Sequence, residues 1–222
     1  MTTAHLSHFI VSIEDSALAP WASLAPWQLT AQSEAIVCQM LPTLDASQFR
    51  IDGEVAIHRT AVIEQGVTLK GPLIVGPGVF VGAHAYFRGG CWIAEGCSIG
   101  PGCELKSSFL FAQARLAHFN FVGDTVVGRH VNLEAGSIVC NHRNERDDKM
   151  VRVRIDGKLV STGVNKFGAV LGDGCRVGAN AVIAPGALLA RGTIIARTAL
   201  RDDELDAARL APALDPVAMR NA

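Results

Sequence analysis

Nine bulky apolar residues stand six positions apart along the middle of the chain: Ile57, Ile63, Leu69, Val75, Val81, Phe87, Ile93, Ile99 and Leu105. A second track lies four residues on from the first eight, at Ala61, Val67, Leu73, Val79, Ala85, Cys91, Cys97 and Cys103. Small, polar or turn-forming residues fill the gaps, as in Val81-Gly82-Ala83-His84 and Ile99-Gly100-Pro101-Gly102. A period of six matches neither the 3.6 of a helix nor the alternation of a hairpin sheet. It is the hexapeptide pattern of a parallel β-helix, in which short strands alternate with turns and three hexads close one coil.

Stacking explains the pattern. A single coil cannot bury its own apolar edge, but coils about 4.8 Å apart align residues i and i+18 into columns. Ile57, Val75 and Ile93 form one predicted column, Ile63, Val81 and Ile99 a second, and Leu69, Phe87 and Leu105 a third. The Ala and Cys positions suit the tighter corners.

The repeat starts near Val55 and is expected to keep phase to Phe111. Val122-Gly123, Val127-Gly128, Leu133-Glu134 and Val139-Cys140 still read as hexad starts, but two steps of five replace two of six. The slip is placed at 112–127, around His118, where a distorted wall makes room for a ligand. Hexads stop over 141–164, where Val151–Ile155, Asp156-Gly157 and Lys158–Val160 read as a β-hairpin projecting from one corner. Phase returns with Leu171, Val177, Ile183, Leu189 and Ile195, for six or seven coils in all. Outside the repeat, residues 9–11 read as a short strand and 26–41 as one helix with Pro26 in its first turn, together an end cap or packing element. Asp202 to Leu210 reads as a helix stopped by Pro212, followed by a tail. The predicted organisation is an N-terminal extension (1–50), a parallel β-helix (51–200) with a hairpin inserted at 147–164, and a C-terminal helix and tail (201–222).

A net charge of −1 makes no electrostatic case for nucleic acid or an anionic membrane. The first fifteen residues lack the pattern of a secretory signal, and no apolar run approaches the roughly 20 residues of a membrane span. Five of the six cysteines fall in the repeat and none forms a CxxC pair, so buried reduced thiols and a cytoplasmic location are expected.

Three segments carry a family resemblance: Ala117-His-Phe-Asn-Phe-Val-Gly-Asp124, Val131-Asn-Leu-Glu-Ala-Gly136 with Cys140-Asn141, and Asn165-Lys-Phe-Gly-Ala-Val-Leu-Gly-Asp173. Residues 54–198 resemble the acetyltransferase domain of the enzyme that acetylates glucosamine-1-phosphate and then uridylylates it. They are closer still to the hexapeptide C-terminal domains of sugar-1-phosphate nucleotidylyltransferase-like proteins. The resemblance implies an all-β fold, a left-handed parallel β-helix, assembled as a homotrimer with sites between subunits. It assigns His118 as general base, Arg88 and Lys106 to the sugar phosphate, and Asn132, Asn141 and Lys166 to the sugar. Phe121 and His142 occupy substrate positions where the family carries tyrosines. Ala179 and Ala196, in later coils, are assigned to an acyl-CoA co-substrate.

The chemistry agrees with those residue types. An amine must be deprotonated to attack a thioester, and an imidazole suits that task, typically contributing about 10²–10⁴-fold. Two cations on a wall of apolar and small residues suit a phosphate. Arg152, Arg154 and Lys158 read as a solvated hairpin face rather than pyrophosphate contacts. No metal is expected: His118, His130 and His142 are two hexads apart, which places them on different walls. Nothing in residues 1–50 resembles a nucleotidylyltransferase's Gly-rich loop, so a separate pyrophosphorylase is a candidate partner. Two functions follow: an acyl-CoA-dependent N-acyltransferase on an amino-sugar phosphate or nucleotide sugar, or a non-catalytic trimeric sugar-nucleotide-binding module.

Overall fold

A computed structural model describes residues 4–205. Three parallel sheets wind into a prism of seven coils. The first wall stacks Val55–His58, Leu73–Val75, Cys91–Ile93, Phe109–Leu110, Val126–Val127, Ala169–Leu171 and Ala187–Leu189. The second stacks Val62–Ile63, Phe80–Val81, Ser98–Ile99, Arg115–Leu116, Asn132–Leu133, Arg176–Val177 and Ile194–Ile195. The third stacks Thr68–Leu69, Tyr86–Arg88, Glu104–Lys106, Phe121–Gly123, Ile138–Val139, Val182–Ile183 and Leu200–Arg201. Both sequence tracks point inward and form one apolar core. Ile57 pairs with Val75 and Val75 with Ile93, an eighteen-residue step that is the predicted column. An added strand, Phe49–Asp52, pairs antiparallel with Val55–His58 and covers the open edge of the first wall.

Only one of the two short steps lies within the expected slip at 112–127. Leu110 pairs with Ile93 and with Val127, so the five-residue steps are Leu105 to Leu110 and Val122 to Val127. Both shorten the corner between the third and first walls, whereas His118 sits on a different corner. Phe111 is buried, but in a second cluster outside the prism.

That second cluster explains residues 4–48. Leu6, Ile10, Ile13, Leu29, Ile36 and Val37 pack on the outward side chains of the first wall, among them Ile74, Trp92, Phe109, Val126 and Val170. The extension therefore lies along a wall instead of across an end. The predicted strand at 9–11 is a turn: Ile10 is committed to this core, while the Phe9 carbonyl and Val11 amide bond Asp173. The single predicted helix is two, α1 (Pro26–Ala31) and α2 (Ser33–Met40), broken at Gln32. At the break Ser33 Oγ donates to the Gly89 carbonyl at 2.8 Å. Gly90 permits this approach: a Cβ there would sit 2.5 Å from the Glu34 nitrogen.

The hairpin, Arg152–Ile155 with Lys158–Ser161, has the two-residue Asp156-Gly157 turn with positive φ at both positions. It folds back rather than projecting freely, because Val151 and Val153 are fully buried in the outer cluster. Of the predicted solvated face, Lys158 is exposed, while Arg152 and Arg154 are half-exposed and paired, Arg152 with Asp148 and Arg154 through Nε with the Asp203 carbonyl. Asp202–Leu205 forms a turn, with Asp202 gripped by buried Arg143 at 2.6 and 2.8 Å. The remainder of the predicted C-terminal helix, from residue 206, and the tail lie outside the described residues.

Candidate active site

Strand alternation gives the third wall an outer face, and the ladder aligns predicted site residues on it. Arg88 is opposite Lys106, Lys106 opposite Gly123, and Glu104 opposite Phe121. Arg88 donates from Nε to Glu104 Oε1 at 2.9 Å and its terminal nitrogen lies 2.7 Å from the same oxygen. Lys106 Nζ is 2.9 Å from both carboxylate oxygens of Asp124, which also accepts from the Asn141 amide. The Phe121 ring reaches over Gly123, where a Cβ would lie 2.8 Å from its Cζ and 2.6 Å from Asn141 Nδ2. Asp124 and Glu104 thus partner the predicted cations; the Val-Gly-Asp run contained the first and the Glu-Leu-Lys run the second.

Beside this corner lies a cavity of about 730 Å³, whose lining includes Lys106, Asp124, Asn165, Lys166 and the Gln32–Glu34 end of α2. Lys166 is exposed, and His142 Nδ1 is 3.1 Å from the Asn165 carbonyl. The predicted set Arg88, Lys106, Phe121, Asn141, His142 and Lys166 is therefore gathered on the third wall and at its corner with the first.

His118 occupies the opposite edge of the same wall, in the turn between Arg115–Leu116 and Phe121–Gly123. Its ring is exposed, and its carbonyl accepts from the Gly136 amide at 2.9 Å. The coil beneath passes close: a Cβ on Gly100 would stand 1.6 Å from the Ala117 carbonyl. Corner hydrogen bonds from Gly136 to His118, Asn180 to Ala135 and Thr198 to Ala179 place Ala179 two coils beyond His118 on one edge. Glu134, on this edge, accepts from the Ala179 amide and from Arg197 at 2.8 and 2.9 Å. The Arg197 hydrogen bonds, followed by that amide, hold its carboxyl below the usual range.

Asn132 is not brought to the third wall. It projects from the second, in register with Arg115 and Arg176, and lines a separate cavity of about 550 Å³ with Glu134, Ala196 and Arg197. His118, His130 and His142 fall at three different corners, and no group of three His, Cys, Asp or Glu suited to a metal occurs among the described residues. Cys91 and Cys97 are pushed up by burial to about 11 and about 12, consistent with inert filler thiols.

Residues 72–107 match the family model described as bacterial transferase hexapeptide (six repeats). A bifunctional sugar-1-phosphate nucleotidylyltransferase/acetyltransferase of Sulfurisphaera tokodaii is 36% identical over 62% of this chain and 34% of its own length. The bifunctional protein GlmU of Methanococcus vannielii is 30% identical over 82% of this chain and 44% of its own. The chain therefore spans a third to under half the length of these curated relatives. Among solved structures, a histidine-to-alanine mutant of GDP-perosamine N-acetyl transferase from Caulobacter crescentus, in complex with CoA and GDP-perosamine, is 19% identical. The match covers 66% of this chain and 51% of that one, with a TM-score of 0.28.

Proposed function

We propose, from the premise that the chain belongs to the hexapeptide-repeat transferase family, that it is an acyl-CoA-dependent N-acyltransferase acting on an amino-sugar phosphate or a nucleotide-linked amino sugar. The observation that carries this reading is the third wall itself, with an exposed imidazole at one edge, Arg88 opposite Lys106, Phe121 opposite Glu104, and Asn141 bonded to the Asp124 that partners Lys106. The relatives that name a sugar-1-phosphate and an acetyltransferase support the substrate class.

In the proposed reaction the neutral amine attacks the thioester carbonyl. His118 takes the proton from nitrogen as the C–N bond forms and returns it to the departing sulfur as the C–S bond breaks. Arg88 and Lys106 hold the phosphate, each sharing its charge with a carboxylate partner. Asn141 and Lys166 orient the sugar. The acyl-CoA lies along the edge that carries Ala179 and Ala196. The proposed assembly is a homotrimer in which the second wall of one protomer faces the third wall of the next, carrying Asn132 to the sugar.

A turnover assay with acetyl-CoA and a panel of amino-sugar phosphates and nucleotide-linked amino sugars tests the reading. His118→Ala is expected to lose about 10²–10⁴-fold in kcat. Undiminished turnover by that variant removes His118 from the mechanism, and a monomer by light scattering removes the trimeric site.

A further inference from the structure

The inward column at the His118 corner is apolar except at two neighbouring coils. It runs Ala85, Cys103, Asn120, Ser137, Ala181, and all five residues are buried. Asn120, two residues after His118, is 2% exposed inside the prism. Its Nδ2 donates to the Glu134 carbonyl at 2.8 Å, to Ser137 Oγ at 2.9 Å and to the Ser137 carbonyl at 3.1 Å. Its Oδ1 accepts from Cys103 Sγ at 3.5 Å. One side chain thus joins the His118 coil to the coil before and the coil after.

A valine or alanine would fill that position without the cost of burying an amide, as Ala85 and Ala181 do in the same column. Departures from a local rule concentrate where function requires them. The coil that Asn120 grips is the one whose Glu134 holds the Ala179 amide and Arg197. Its acceptors flank Gly136, whose amide binds the His118 carbonyl.

We infer that Asn120 is a positioning residue: it fixes the height of the His118 turn against the Glu134–Ala179 edge, and so the separation of the base from the acyl donor. This rests on the acyltransferase reading above. The bond network satisfies a buried amide in any case, so the test must separate order at His118 from stability.

Asn120→Val with Ser137→Ala removes both polar side chains but takes a donor from the Glu134 and Ser137 carbonyls, of which Glu134 keeps the Ser137 amide, so the thermal midpoint should fall modestly with the protein still folded. In that variant kcat is expected to fall about 10–100-fold with KM for acyl-CoA nearly unchanged, as for a reacting group displaced by a fraction of an ångström. Asn120→Thr, which returns one donor, should recover part of the loss. If the double variant does not fold, Ser137→Ala alone, which removes one acceptor, should give a smaller fall in kcat. Unchanged kcat in the folded variants overturns the inference.

Imidazole resonances give a readout independent of the reaction. The His118 ring signals should broaden or split in the variants, while those of exposed His84, on an earlier coil, stay as they were. Parent-like His118 signals overturn the positioning role even if no substrate is turned over. A parent protein inactive on the whole panel defeats the acyltransferase reading instead.

Discussion

Lys106 and Asp124 form a closed pair: both carboxylate oxygens lie 2.9 Å from Nζ, and the side chains are 16% and 7% exposed. A cation that sequence reasoning assigns to a phosphate is thus already half-answered. The pair sits on the shortened corner, where Gly168 donates to the Asp124 carbonyl and Asn141 to its carboxylate. Both residues line the cavity, where solvent answers part of an unmatched charge, so Asp124→Asn should cost about 1–3 kcal/mol in chemical denaturation. Lys106→Met with Asp124→Asn should recover at least half of that and still fail to bind the phosphorylated substrate. A double variant no more stable than the single one would show that the pair is not coupled.

The second predicted loss is pH-dependent. Arg143, 4% exposed, bonds both oxygens of Asp202 and the Pro185 carbonyl, tying the start of the insertion to the last described coil. Burial pushes the Asp202 carboxyl up, but the hydrogen bonds and charge of Arg143 outweigh it and hold it below the ordinary range. A carboxyl depressed by folding stabilises fully above its unfolded value, about 3.9, and loses that contribution as pH falls through the folded value. Glu204, 3.4 Å from Arg143, keeps that cation partnered, so Asp202→Asn should be less stable than the parent at pH 7 by about 1–3 kcal/mol. The gap should narrow only below about pH 4. A stability gap from the parent that stays the same from pH 7 down to pH 3 would sink this.

Much of the fold was legible because an inward column tolerates little else: Ile57, Val75 and Ile93 had to align. The covering of the first wall was also written in the sequence and went unread. Leu73-Ile74-Val75, Cys91-Trp92-Ile93 and Ala169-Val170-Leu171 are apolar on both faces, the mark of a parallel sheet buried on both sides. Phe109-Leu110-Phe111 is apolar throughout, so periodicity alone did not decide which residue turned inward; the short corner chose Leu110. The site was legible as residue types but not as partners. Glu104 and Asp124 are ordinary carboxylates until the ladder sets them beside Arg88 and Lys106, and Asn132 falls on the second wall because Leu133 stacks on Leu116 and Ile99.

Thiol reactivity provides a direct test of the core. All six thiols are raised, desolvation being the first cause at each, but Cys91, Cys97, Cys103 and Cys175 are buried whereas Cys38 and Cys140 are half-exposed and open to reagent. Native protein at pH 8 should label at Cys38 and Cys140, with the other four reacting only on denaturation. Rapid labelling of Cys97, read by peptide mass spectrometry, would contradict the packed prism.

Phe121 offers the sharpest test of specificity. Its Cζ stands over Gly123 beside the Asn141 amide, so a hydroxyl added there would extend along the outer face of the third wall. Phe121→Tyr keeps the ring and adds one donor and one acceptor where the proposed sugar lies. One neutral hydrogen bond is worth about 1 kcal/mol, hence about 5–10-fold in kcat/KM for a sugar with a hydroxyl facing residue 121. A deoxy analogue should gain nothing and lose slightly, because the new hydroxyl would be buried without a partner. The comparison is a ratio of two substrates on one protein, so a general loss of folding cancels. An identical change in kcat/KM for both sugars would place the substrate away from Phe121, and with it away from the outer face of the third wall.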